Sequence, residues 1–128
     1  MVLISPQQEL FISVKMKCIE LGYTTYDYLP REAVPYPFVY IGDGFSTDVA
    51  NKTSVHGLYY QTIHIYSDTK KRGSASTMVM NIKQALREIN QTDNFHTSIR
   101  NITDETKTDN STNVPLLHGI IEVEFYFN

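Results

Sequence analysis

Hydrophobic residues recur at two spacings along this chain. Leu10, Val14, Cys18 and Leu21 fall three and four residues apart, with Lys15, Lys17 and Glu20 between them, which is the spacing of one helix face. Ser5-Pro6-Gln7-Gln8 supplies a capping hydroxyl, a proline suited to the first helical position, and a glutamine three residues after the cap. Gly22 suits the position just past a helix end, so the pattern predicts a helix over 6–21. Met78, Val79, Ile82, Ala85, Leu86 and Ile89 mark a second helix, with Ser74 or Ser76 as its cap and Asn90 near its end.

The remaining apolar residues alternate. Tyr59, Ile63 and Ile65 fall on one face of a strand at 58–67, and Tyr60, Thr62, His64 and Tyr66 on the other. Ile121, Val123, Phe125 and Phe127 alternate with Glu122, Glu124 and Tyr126, predicting a strand with one buried and one solvated face. A strand is also expected at 38–41, stopped by Gly42-Asp43-Gly44, with a short one within 23–29 and another at 96–102. Pro30, Pro35 and Pro37 impose an extended connection between the first two. Two polar stretches, 45–57 and 103–113, are expected as mobile loops, the first as a long loop or hairpin tip.

Strands that follow one another without crossover helices favour antiparallel pairing. The expected fold is therefore one α+β domain over 1–128, a mainly antiparallel sheet with two amphipathic helices packed on one face. Its expected core is Leu10, Val14, Cys18, Leu21, Ile63, Ile65, Val79, Ile82, Leu86, Val123 and Phe125.

Composition sharpens this picture in three places. A formal charge of −3 argues against a free nucleic-acid binder. Cys18 is the only cysteine, which excludes an intrachain disulfide and a cysteine-based zinc site. No signal peptide stands out and no apolar run approaches the roughly 20 residues of a membrane span, so the expectation is a cytosolically assembled protein with no membrane partner.

Candidate chemistry is sparse. His56, His64, His96 and His118 make no HExxH pair and read as structural or surface histidines. Glu122 and Glu124 share one strand face, as paired acid–base carboxylates would, but a solvated face accounts for them. Gly42-Asp43-Gly44 lacks the pattern of a phosphate loop, and Cys18 falls on an apolar helix stripe where packing explains it. No catalytic, metal-binding or cofactor-binding residue is assigned, and the chain is expected not to be an enzyme. Lys70-Lys71-Arg72 before the second helix suggests one alternative, a double-stranded-RNA-binding module. Such modules end at their second helix, whereas two strands follow it here. The residues expected to meet a neighbouring subunit or partner are Phe45, Lys52 and His56 of the polar stretch and Tyr60, Tyr66 and Tyr126 on strand faces.

Taken in order, several short motifs resemble the tail-completion, or tail-terminator, proteins of long-tailed bacteriophages. They are Tyr26-Asp27-Tyr28-Leu29-Pro30, Pro35-Tyr36-Pro37-Phe38-Val39-Tyr40-Ile41-Gly42-Asp43, and Thr62-Ile63-His64-Ile65-Tyr66-Ser67. The helix with Ile82 and Ala85-Leu86, and His118-Gly119 before the last strand, complete the set. The resemblance implies a homo-oligomeric, hexameric ring in the virion that caps the tail tube protein and joins it to the head–tail connector. Viral DNA would pass through its lumen without sequence-specific contact. A head-side neck protein shares these features and is the alternative within the class.

Overall fold

The computed structural model describes residues 5–50, 55–111 and 114–128. The first helix, α1, runs Pro6–Glu20, and the Ser5 hydroxyl accepts a hydrogen bond from the Gln8 amide at 3.1 Å. At its other end Gly22 takes a φ of 90°, open to a residue without a Cβ. The Gly22 and Tyr23 amides then reach back to the Ile19 and Cys18 carbonyls, satisfying the last turn.

Strand β1 (Thr25–Tyr26) pairs in parallel with β2 (Phe38–Ala50), and β2 pairs antiparallel with β3 (Val55–Asp68). A short 3-10 helix (Thr69–Lys71) leads into α2 (Arg72–Arg87), followed by β4 (Thr97–Asp109) and β5 (Leu116–Phe127). The sheet order is β1-β2-β3-β5-β4, and every pairing but the first is antiparallel. The fold is the expected α+β arrangement. Both helices lie over the same sheet face, where Leu10, Val14 and Cys18 of α1 and Met78, Val79, Ile82 and Leu86 of α2 join Ile63, Ile65, Ile121, Val123 and Phe125 in one core. Gly119 lies directly beneath α2, where any Cβ would press on the Val79 side chain.

Several expectations are corrected. Leu21 is 39 % exposed: it is the C-cap of a helix that ends at Glu20 and lies outside the core that Leu10, Val14 and Cys18 join. The cap of α2 is neither Ser74 nor Ser76. The chain enters through the 3-10 turn, where the Asp68 carboxylate accepts from the Lys70 amide. Gly42-Asp43-Gly44 does not end a strand: β2 continues through it with a bulge between Ile41 and Gly44. Within the 45–57 stretch, Phe45 to Ala50 and the residues from Val55 on are two hairpin arms paired with each other, in place of a mobile loop; the expected hairpin tip, 51–54, lies outside the described residues. The 103–113 stretch is mostly the second half of β4, paired with β5 as far as Asp109 opposite Leu116.

Both misreadings have one cause. An antiparallel ladder satisfies the backbone whatever the side chains are. A strand at the sheet edge keeps charged, polar side chains, here Arg100, Asp104, Glu105, Lys107 and Asp109, which discourage pairing with stray chains. The β4 amides bonded to β5 are expected to exchange more slowly than those of the 30–37 connection. Equal, fast exchange in both segments would show that the outer half of β4 frays.

Candidate functional site: an uncovered aromatic sheet face

The helices cover one face of the sheet, and strand alternation leaves the other facing outward. Register places its side chains in rows across the strands. Phe38, Tyr66, His118 and Lys107 form one row; Tyr40, His64, Ile120 and Glu105 the next. Beyond the bulge come Phe45, Tyr60, Glu124 and Asn101, then Thr47, Leu58, Tyr126 and Ser98.

The bulge decides this arrangement. Two residues of β2 oppose one of β3 there, so the in–out alternation of β2 changes parity. Without it Phe45 would fall on the core face with Val39 and Ile41. With it the Phe45 ring stacks on Tyr60, 4.4 Å between centroids, and stays 58 % exposed. Buried Gln61 holds the bulge in place. The two N–H groups of its carboxamide are shared among the carbonyls of Gly42 (2.9 Å), Asp43 (3.2 Å) and Thr62 (2.9 Å), while its oxygen accepts from the Tyr59 hydroxyl.

The upper half of the face is an aromatic and histidine cluster. Phe38 stacks on Tyr66 at 5.1 Å, flanked by Tyr26 and Tyr36, and Tyr66 stacks on His118 at 4.5 Å. Tyr40 stacks on His64 at 5.4 Å. His64 Nδ1 and His118 Nε2 are 2.8 Å apart, so one neutral ring donates its N–H to the other. Burial holds both histidines below the ordinary value of 6.5, and His64 is pushed further by His118 itself. Lys107 acts in the same direction on both; Asp43 opposes it at His64, and Asp109 and Glu105 at His118.

A base with a lowered folded-state value binds its proton more tightly when unfolded. Its contribution to stability is therefore full above the unfolded value and falls as pH drops through 6.5 towards the folded values. The melting temperature is expected to fall as pH is lowered from about 7 to about 5, before the carboxylates titrate. In His64→Gln/His118→Gln that slope should flatten; an unchanged slope would mean that the pair contributes nothing to it.

The sequence-predicted contact residues divide between the two halves. Phe45 and Tyr60 meet directly, and Tyr126 lies on the same face of β5 as Glu124, whose carboxylate accepts from the Tyr60 hydroxyl at 3.2 Å. Tyr66 belongs to the upper cluster, and half-buried His56 lies opposite Val49 in the hairpin. Lys52 lies outside the described residues. Sequence reading missed Phe38, Tyr40 and His118 as members of this surface, and with them the pairing of His64 with His118. The alternation of β3 was the available signal for His64, but its meeting with His118 depends on cross-strand register.

The Cys18 thiol is buried and pushed up to about 12 by that burial, which leaves it unreactive. Among the described residues no group of three or more His, Cys, Asp and Glu side chains could hold a metal ion.

No family model and no curated protein matches the chain. Among solved structures, a chain of the virion of a native gene transfer agent particle has the same fold. It aligns at a TM-score of 0.61 and 12 % identity over 95 % of each chain. A second solved chain, described without a function, aligns at 0.55 and 12 % identity over 97 % of each. The type 4 fimbrial biogenesis protein PilO from Pseudomonas aeruginosa aligns only at 0.43 and 7 % identity, too loosely to carry an argument. At these identities the likeness is one of fold.

Proposed function

We propose that this chain is a non-enzymatic structural subunit of a phage-like virion, and that its place is the end of the tail. Copies close into a hexameric ring that caps the completed tail tube, meets the head connector and lets DNA pass through its lumen. The observation that carries this reading is the correspondence with a virion chain along nearly the whole length of both chains. The order of motifs from Tyr26 to His118-Gly119 supports the tail-terminator assignment within it.

Physical features agree with an assembly role. An aromatic sheet face without a covering helix is surface that a neighbouring subunit can bury. Repeating one contact between unlike patches generates a ring when the rotation closes. The test is to delete the gene from its phage and image the particles. Tails of irregular length, or finished tails unattached to filled heads, are expected. Particles with normal, joined tails overturn the reading, and unplugged heads lacking only their neck would assign the chain to the head side.

A further inference from the structure

The lower half of the open face and the basic turn before α2 carry opposite charge, and neither is neutralised within the subunit. Phe45, Tyr60, Thr62, Asn101, Glu122 and Glu124 line a cleft of about 260 Å³. A second cleft of about 250 Å³ shares Thr103 and Glu122 with it and adds Glu105. The ion pairs among the described residues are Lys15–Asp27, Lys17–Glu88 and Lys83–Asp104, so Glu105, Glu122 and Glu124 have no cationic partner among them. Arg100 and Lys107 of β4 act on Tyr60 and His118 of this face, yet neither closes an ion pair with it among the described residues.

Lys70, Lys71 and Arg72 are consecutive, exposed and likewise without an ion pair among the described residues. They cannot reach their own cleft. Tyr60 and Asp68 lie on the same strand, β3. Thr62, the β3 residue of the cleft closest to the turn, is six residues from Asp68, so at about 3.3 Å per strand residue the turn begins roughly 20 Å from the cleft, well beyond a lysine's reach. The cleft of another copy is under no such restriction.

We propose that the cleft bearing Glu122 and Glu124 receives the basic turn at 70–72 of the next copy, making this the contact that repeats around the ring. The proposal rests on the ring reading above. Arg72 presents a planar fork suited to paired carboxylate oxygens, and the exposed ring of Phe45 offers a face to a cation entering beside them. The contact joins two different patches, as a cyclic ring requires. It also turns the 70–72 cations onto protein and away from passing DNA, where they would grip phosphates.

The full-length chain and its charge variants test this by sedimentation and by zero-length carbodiimide cross-linking of mixed isotope-labelled copies. Lys71→Glu/Arg72→Glu places acids at the N-cap and first residue of α2, where the helix dipole favours them, so the fold is kept. That variant and Glu122→Lys/Glu124→Lys should each weaken association at least about tenfold, and combining the four changes should recover most of it. Intermolecular cross-links should join Lys70 or Lys71 to Glu105, Glu122 or Glu124. Reversal variants that associate like the wild type overturn this contact and leave the ring reading standing. Folded variants that lose association without recovery in the fourfold swap overturn it as well. A chain that is monomeric both free and in particles overturns the ring reading together with the contact. Duplex-RNA binding abolished by Lys71→Glu/Arg72→Glu, with association unchanged, assigns the turn to nucleic acid instead.

Discussion

Leu86→Ala is expected to lower the stability of the isolated domain by about 2–5 kcal/mol. Leu86 is fully buried on α2, in the layer where that helix meets the sheet and α1. Truncation removes apolar contact and leaves a cavity that close-packed neighbours fill only in part. A domain of this size has only about 5–15 kcal/mol of stability to lose, so the change should be plain in a denaturant titration. Glu122→Ala, at an exposed position on the uncovered face, is the control and should stay within about 0.5 kcal/mol of wild type. A loss below about 1 kcal/mol for Leu86→Ala would mean that α2 is not seated as described.

Gln61→Leu should cost about 1–3 kcal/mol, although it replaces a polar residue in the core with an apolar one of similar size. The usual gain from such a change is reversed because Gln61 has partners. Its loss leaves the Tyr59 hydroxyl buried with no acceptor, and frees the carbonyls of Gly42, Asp43 and Thr62 that it ties together. Tyr59→Phe in the Gln61→Leu background removes the stranded hydroxyl and should recover part of the loss, whereas Tyr59→Phe alone should cost stability. A double-mutant cycle reads this coupling directly. Additive effects would mean that the two side chains are independent. Because Gln61 holds the bulge, Gln61→Leu should also disturb the Phe45–Tyr60 stack, visible as a shifted Phe45 ring resonance.

The elements that sequence reading placed correctly are those whose side chains carry the signal. The α1 start was legible because Ser5 and Pro6 have distinct local roles that need no other part of the chain. The buried faces of α2, β3 and β5 were legible because a helix buries every third or fourth residue and a strand every second. The α1 helix was only half legible. Leu10, Val14 and Cys18 are buried as expected, yet Ile12, Met16 and Ile19 leave a second apolar stripe exposed. The outer half of β4 was illegible because its 103–109 residues are held by backbone bonds to β5, while its side chains remain those of a solvated edge.

The candidate surface divides in the same way. Sequence alone determined that β3 and β5 each carry a second face with Tyr60, His64, Tyr66, Glu122, Glu124 and Tyr126, because alternation along one strand is a local property. Tertiary structure decided that the helices leave this face uncovered, that β3 and β5 pair in the register bringing His64 to His118, and that a bulge turns Phe45 onto Tyr60. Those choices join residues far apart in the chain. They are settled by which faces pack together and by how the backbone hydrogen bonds close, and spacing along one segment does not encode either.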